Sequence, residues 1–139
     1  MKATVSFNGK YPMRGVNESG NETLFEPAPD HGGSGNIATP MEIFLQAAAA
    51  CSMVDVISII EKKRKHITDL KIESEAERSE EHPKVFTKIK LRYILTSPDA
   101  ELADLERAVE LSMTKYCSVS GTLKKAGCEV SYESEVKRG

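Results

Sequence analysis

Cys51, Cys117 and Cys128 are the residues of this chain whose type carries redox chemistry. A thiolate is a nucleophile, and two thiols within reach of each other can cycle between dithiol and disulfide. Cys51 lies inside a long apolar segment, where a free cysteine commonly packs as a small hydrophobe. Cys117, in Lys115-Tyr116-Cys117-Ser118, falls at the expected start of a short helix. A helix N-terminus with a lysine close by favours the thiolate. Cys128 falls on the inward side of the last expected strand and reads as structural. His31, His66 and His82 are scattered, each in or beside an expected loop, and no C-x-x-C pair occurs. The spacing therefore gives no metal site, and no bound cofactor is expected.

Glu42 has two readings. In Thr39-Pro40-Met41-Glu42 it is the N3 member of a capping box, with Thr39 as N-cap and Pro40 at N1. As a chemical group it stands nine positions before Cys51 on the same expected helix. At about 100° and 1.5 Å per residue, the two lie on roughly opposite faces and about 13–14 Å apart along the axis. They act together only if two such helices pack antiparallel in a dimer.

The elements that must hold these residues follow from periodicity. Ala3, Val5 and Phe7 alternate with polar residues, and Asn8-Gly9 is a hairpin turn signal. Met13 to Asn17 and Glu22 to Glu26 complete an N-terminal three-stranded meander. A Gly/Pro-rich loop, Pro27 to Asn36, leads to the capping box and a helix running to about Lys65. Leu70 to Glu77 and Val85 to Leu95 alternate as a second hairpin. Ser97-Pro98 opens a helix with Leu102, Leu105 and Val109 on one face; after a break near Tyr116, helix resumes from Lys115 toward Lys125. Gly127 is the expected cap, and Cys128, Val130 and Tyr132 form the final strand. The order is β-β-β-α-β-β-α-α-β, an α+β domain spanning residues 1–139.

The central helix is apolar all round, and a chain of this size has few strands to cover it. That predicts a buried core helix closed by a second subunit, hence a homodimer. Asp55 and Gln46 interrupt Ile43 to Ile60, and Ala47 to Ala50 give it only modest hydrophobicity, so no membrane span is expected. The formal net charge of −2 argues against nucleic-acid binding. Met1 to Lys10 has no apolar h-region, and an odd, low number of cysteines suits a reducing compartment, so the cytoplasm is expected.

Thr39-Pro40-Met41-Glu42 through Ala50-Cys51 resembles the P-x-E-x₈-C helix of the OsmC/Ohr superfamily. Tyr116-Cys117-Ser118-Val119-Ser120 resembles its second-cysteine segment, and Glu77-Arg78 to Ile94 and Arg107 to Ser112 extend the likeness along nearly the whole chain. The resemblance implies an intertwined homodimer with central helices enclosed by two sheets. It implies that Cys51 is the peroxidatic thiolate, oxidised by an organic hydroperoxide to a sulfenic acid, and that Cys117 resolves it as a disulfide reduced by an external dithiol. It also implies an arginine that stabilises the leaving alkoxide and is held by the motif glutamate, by position Glu42. Arg14 is the only arginine before the central helix, although Met13-Arg14-Gly15 departs from the family's local pattern. Ser118 stands where a proline often follows the second cysteine.

The resemblance thus implies a two-cysteine peroxidase for organic hydroperoxides as the expected function. Two rivals remain open: a binder of a lipid-like small molecule in an apolar dimer cleft, and a redox sensor that signals through the disulfide without fast turnover.

Overall fold

The computed structural model describes residues Met1–Gly139, which form two compact units, Met1–Phe44 and Leu45–Gly139. The first is the expected meander. Strands β1 (Ala3–Ser6), β2 (Met13–Asn17) and β3 (Glu22–Phe25) pair antiparallel in the order β1-β2-β3. The following loop is folded against buried Glu26, whose carboxylate accepts from the Ser34 amide at 2.8 Å and the Ser34 hydroxyl at 2.6 Å. Gly33 lets that loop close, since a Cβ there would stand 1.8 Å from the Pro27 carbonyl oxygen.

Helix α1 (Pro40–Lys62) begins with the expected capping box. The Thr39 amide donates to Glu42 Oε2 at 2.8 Å, and the Glu42 amide donates to Thr39 Oγ1 at 3.3 Å. The helix stops at Lys62 rather than about Lys65, because Arg64 turns into the left-handed region at φ 60°. All-round burial is not found within one chain. Ala48, Ser52, Val56 and Ile60, every fourth residue, are its buried residues, while Val54 is 67% exposed. One seam packs inward and the rest of an apolar helix does not. By length and composition alone α1 is long and apolar enough to cross a membrane.

The second unit is built on strands β4 (Asp69–Arg78), β5 (Phe86–Ser97) and β6 (Glu129–Arg138), in the order β4-β5-β6. β4 and β5 form the expected antiparallel hairpin, with Ile72 opposite Tyr93. β6 runs parallel to β5, placing Tyr132 beside Leu91 and Ser134 beside Tyr93. A parallel neighbour requires a crossover. It is supplied by α2 (Leu102–Leu111), a π-helical turn at Ser112–Tyr116 and α3 (Ser118–Lys125). Ile89, Leu91, Tyr93 and Leu95, the inward residues of central strand β5, are almost wholly buried with Leu105, Ala108 and Val109 of α2. Ser97-Pro98 opens a turn rather than a helix: the Ser97 hydroxyl takes the Ala100 amide at 2.9 Å, and α2 starts later with its own capping box between Glu101 and Asp104. The architecture is α+β, with the element order expected.

Candidate active site

Cys51 and Cys117 come together in the second unit. Cys51 sits on α1 and is partly exposed; Cys117 is buried, and both are free thiols. The two are close enough that Cys51 acts on Cys117 both as a hydrogen-bond partner and as a charge. Cys128, just before β6, is also buried and free.

The placement of Cys117 depends on the π turn. Its amide donates to the Ser112 carbonyl at 2.8 Å, an i→i+5 bond that adds a residue to the turn and sets Cys117 as the N-cap of α3. Cys117 has an extended backbone, φ −70° and ψ 105°, as N-caps do. Its sulfur lies 3.3 Å from Ser120 Oγ and accepts from the Ser120 amide at 3.5 Å. The helix end thus favours the thiolate, as the sequence suggested, but it does not win. Burial pushes the Cys117 thiol up, the Ser120 contacts pull it part of the way down, and Cys51 pushes it up again. Lys115 does not offset this: its ammonium lies over the Tyr116 ring, 5.2 Å from the centroid. Cys128 is raised as well, by burial and then by Glu129.

A polar network that periodicity does not reveal lies beside the thiols. Ser52 Oγ on α1 is 2.5 Å from the Tyr93 hydroxyl on β5 and 2.8 Å from Ser112 Oγ in the π turn. Ser112 Oγ donates to Asp55 Oδ2 at 2.8 Å. Ser52, Tyr93 and Ser112 are all fully buried. Burial pushes the Tyr93 phenol well above its ordinary range, with Cys117 and Asp55 adding to the rise against the Ser52 hydrogen bond. One sequence signal was available. Ser52 and Asp55 are two of the polar breaks in an apolar helix, three positions apart and so on one face.

Glu42 and Arg14 lie in the first unit. The Glu42 carboxylate is engaged in the capping box. Arg14, on β2, forms its ion pair with Glu22 of β3, diagonally across the strand pair, since Leu24 stands directly opposite Arg14.

Residues 33–133 match the family model described as OsmC-like protein. The chain is 41% identical to Protein YhfA of Escherichia coli strain K12 over 127 residues, 91% of each chain. A solved structure of a hypothetical protein from Aquifex aeolicus VF5 is similar at 30% identity and a TM-score of 0.85, covering 99% of this chain and 96% of that one. The organic hydroperoxide resistance protein OhrB of Bacillus subtilis shares the fold at 17% identity and a TM-score of 0.59, covering 99% of this chain and 98% of that one.

Proposed function

The chain belongs to the OsmC-like family, and from that premise we propose that it is a thiol peroxidase that reduces organic hydroperoxides through Cys51 and Cys117. The observation that carries the reading is the pairing of two free thiols in one unit, one reachable and one buried. Fold likeness to a hydroperoxide resistance protein supports the substrate class.

The chemistry runs on those two sulfurs. The Cys51 thiolate attacks the terminal hydroperoxide oxygen, the O–O bond breaks, and the alkoxide takes a proton and leaves as alcohol. Cys51 is then a sulfenic acid. The Cys117 sulfur attacks it, an S–S bond forms, and water leaves. An external dithiol returns both to thiols, so no bound cofactor is required.

A homodimer completes the assignment. The apolar face of α1, with Val54 exposed, is covered by a second copy. Two α1 helices packed antiparallel bring Glu42 of one copy toward Cys51 of the other, and Arg14 supplies positive charge to the leaving alkoxide. We place the protein in the cytoplasm, where dithiol reductants are available.

Turnover of t-butyl hydroperoxide with a dithiol, read as alcohol formed, tests this. Wild type is expected to turn over and Cys51→Ser to fall at least a hundredfold, about 2.7 kcal/mol in the barrier. Equal rates would remove the peroxidase reading and leave the ligand-binding one, for which native mass spectrometry of the purified protein looks for a retained molecule.

A further inference from the structure

Helix α3 begins with a cap in which a sulfur takes the place of the usual oxygen. Cys117 is the N-cap, which puts Ser120 at N3. In a capping box the N3 side chain reaches back to the N-cap amide. Here that amide already donates to the Ser112 carbonyl at 2.8 Å, through the π turn. The Ser120 hydroxyl is left to the Cys117 sulfur, 3.3 Å away, while the Ser120 amide donates to the same sulfur at 3.5 Å. Ser120 is 1% exposed, so solvent does not compete for that hydroxyl.

We propose that Ser120 is a positioning residue for the second sulfur: its amide and hydroxyl form a two-donor cradle that receives Cys117 without a proton, so that Cys117 is the sulfur that leaves when an external dithiol opens a Cys51–Cys117 disulfide. The inference rests on the peroxidase reading for that disulfide and adds the direction of its reduction. The step balances. One thiolate of the dithiol attacks the sulfur of Cys51, the partly exposed member of the pair. A new S–S bond forms to Cys51, the Cys51–Cys117 bond breaks, and its electron pair goes to Cys117 as a thiolate. The second thiolate of the reductant then attacks its own sulfur in the mixed disulfide and releases Cys51. Two electrons pass to the cysteines, and the dithiol departs as a disulfide.

Counting protons favours this role. As a thiol, Cys117 brings a second proton to a contact with Ser120 that can use one. As a thiolate it leaves the Ser120 hydroxyl proton alone in that contact, aimed at the sulfur beside the amide. A thiol departs faster from a disulfide the better its thiolate is held. The neighbouring groups do not share the task. Burial and Cys51 of α1 push the Cys117 thiol up, and the Ser120 contacts are what pull it down. Lys115 lies over the Tyr116 ring, Lys124 Nζ donates to the Met113 carbonyl at 2.7 Å, and the Tyr93 hydroxyl of β5 is engaged by Ser52.

The test has two parts, and neither uses peroxide. In full-length protein carrying Cys51→Ser and Cys128→Ser, Cys117 is the one cysteine left. Its thiolate absorbance in the ultraviolet is followed from about pH 6 to about pH 11, with the same protein carrying Cys117→Ser subtracted to remove the tyrosines. Ser120→Ala deletes the hydroxyl, keeps the amide and puts a better helix former in α3. Its midpoint is expected to rise by about one unit, roughly tenfold less thiolate at neutral pH, and Ser120→Thr is expected to restore it. A Ser120 that served packing alone would change thermal stability and leave the midpoint where it was. In the second part the cysteine pair is oxidised with diamide, opened briefly with β-mercaptoethanol, quenched in acid and mapped. The mixed disulfide is expected on Cys51, and opening is expected to run roughly threefold slower in Ser120→Ala. An unchanged midpoint or an unchanged opening rate in Ser120→Ala overturns the role of Ser120, and a mixed disulfide mainly on Cys117 overturns the order of departure; all three leave the peroxidase reading standing. Failure of any Cys51–Cys117 disulfide to form overturns that reading and the order of departure together.

Discussion

Glu42 shows how one side chain can be fully explained and still carry a second assignment. Its carboxylate closes a capping box, and Gln can do the same. Glu42→Gln is therefore expected to keep thermal stability within about 0.5 kcal/mol of wild type, whereas Thr39→Ala should cost about 0.5–2 kcal/mol. If Glu42 also serves the leaving oxygen, Glu42→Gln lowers peroxide turnover by roughly tenfold, about 1.4 kcal/mol. Unchanged turnover returns Glu42 to capping alone. Tyr93 is the converse case, a residue whose role no local pattern announces. Losing its hydroxyl deprives the buried Ser52 of a partner at 2.5 Å. Tyr93→Phe is expected to destabilise by about 1–3 kcal/mol in a denaturant melt. The alternation of β5 shows that Tyr93 faces inward, but only the fold shows that Ser52, 41 positions away in sequence, meets it, and that Ser112, 60 positions from Ser52, meets Ser52 in turn. The thiols divide in the same way. The helix start at Cys117 was legible, while the burial that overrides it depends on how α1 and the crossover pack.

At the scale of elements, what the sequence made plain was set by strong local signals. The capping box and the alternation of β4 and β5 each constrain a few neighbouring residues, and each is found where expected, whereas Asn8-Gly9 lies in a longer connection between β1, which ends at Ser6, and β2, which begins at Met13. The differences arise where local signals compete. Ser97-Pro98 looked like a helix start, but Ser97, Asp99 and His66 form a turn that postpones it. The His66 amide donates to Asp99 Oδ1 and its ring Nδ1 lies by Oδ2, both at 2.8 Å. These contacts, the backbone one first, hold Asp99 at about 2, below its ordinary 3.8. A depressed folded-state value means the stabilisation is present above about pH 4 and is lost as pH falls toward about 2. Acid titration should accordingly show wild type losing stability more steeply than Asp99→Asn in that window. Parallel slopes would mean the turn contributes nothing to folding.

At the scale of the molecule, the apolar surface of one copy is the outstanding feature. Val54 on α1 and Val5 and Phe7 in the meander are 67%, 61% and 55% exposed. A helix apolar on every side announced in sequence that it needed covering, but sequence could not show that only one seam is covered within the chain. The proposed dimer is expected to persist in sedimentation at low micromolar concentration, and a folded particle near 15.3 kDa would contradict it. The central claim concerns the two sulfurs, and single turnover tests it most directly. Reduced protein is mixed with one equivalent of t-butyl hydroperoxide and no reductant; alcohol is measured and the cysteines are mapped without reduction. The account predicts one alcohol per chain and a Cys51–Cys117 disulfide with Cys128 still a free thiol, and none of either product in Cys51→Ser. Alcohol no greater than in Cys51→Ser, or a main disulfide that includes Cys128, would contradict it.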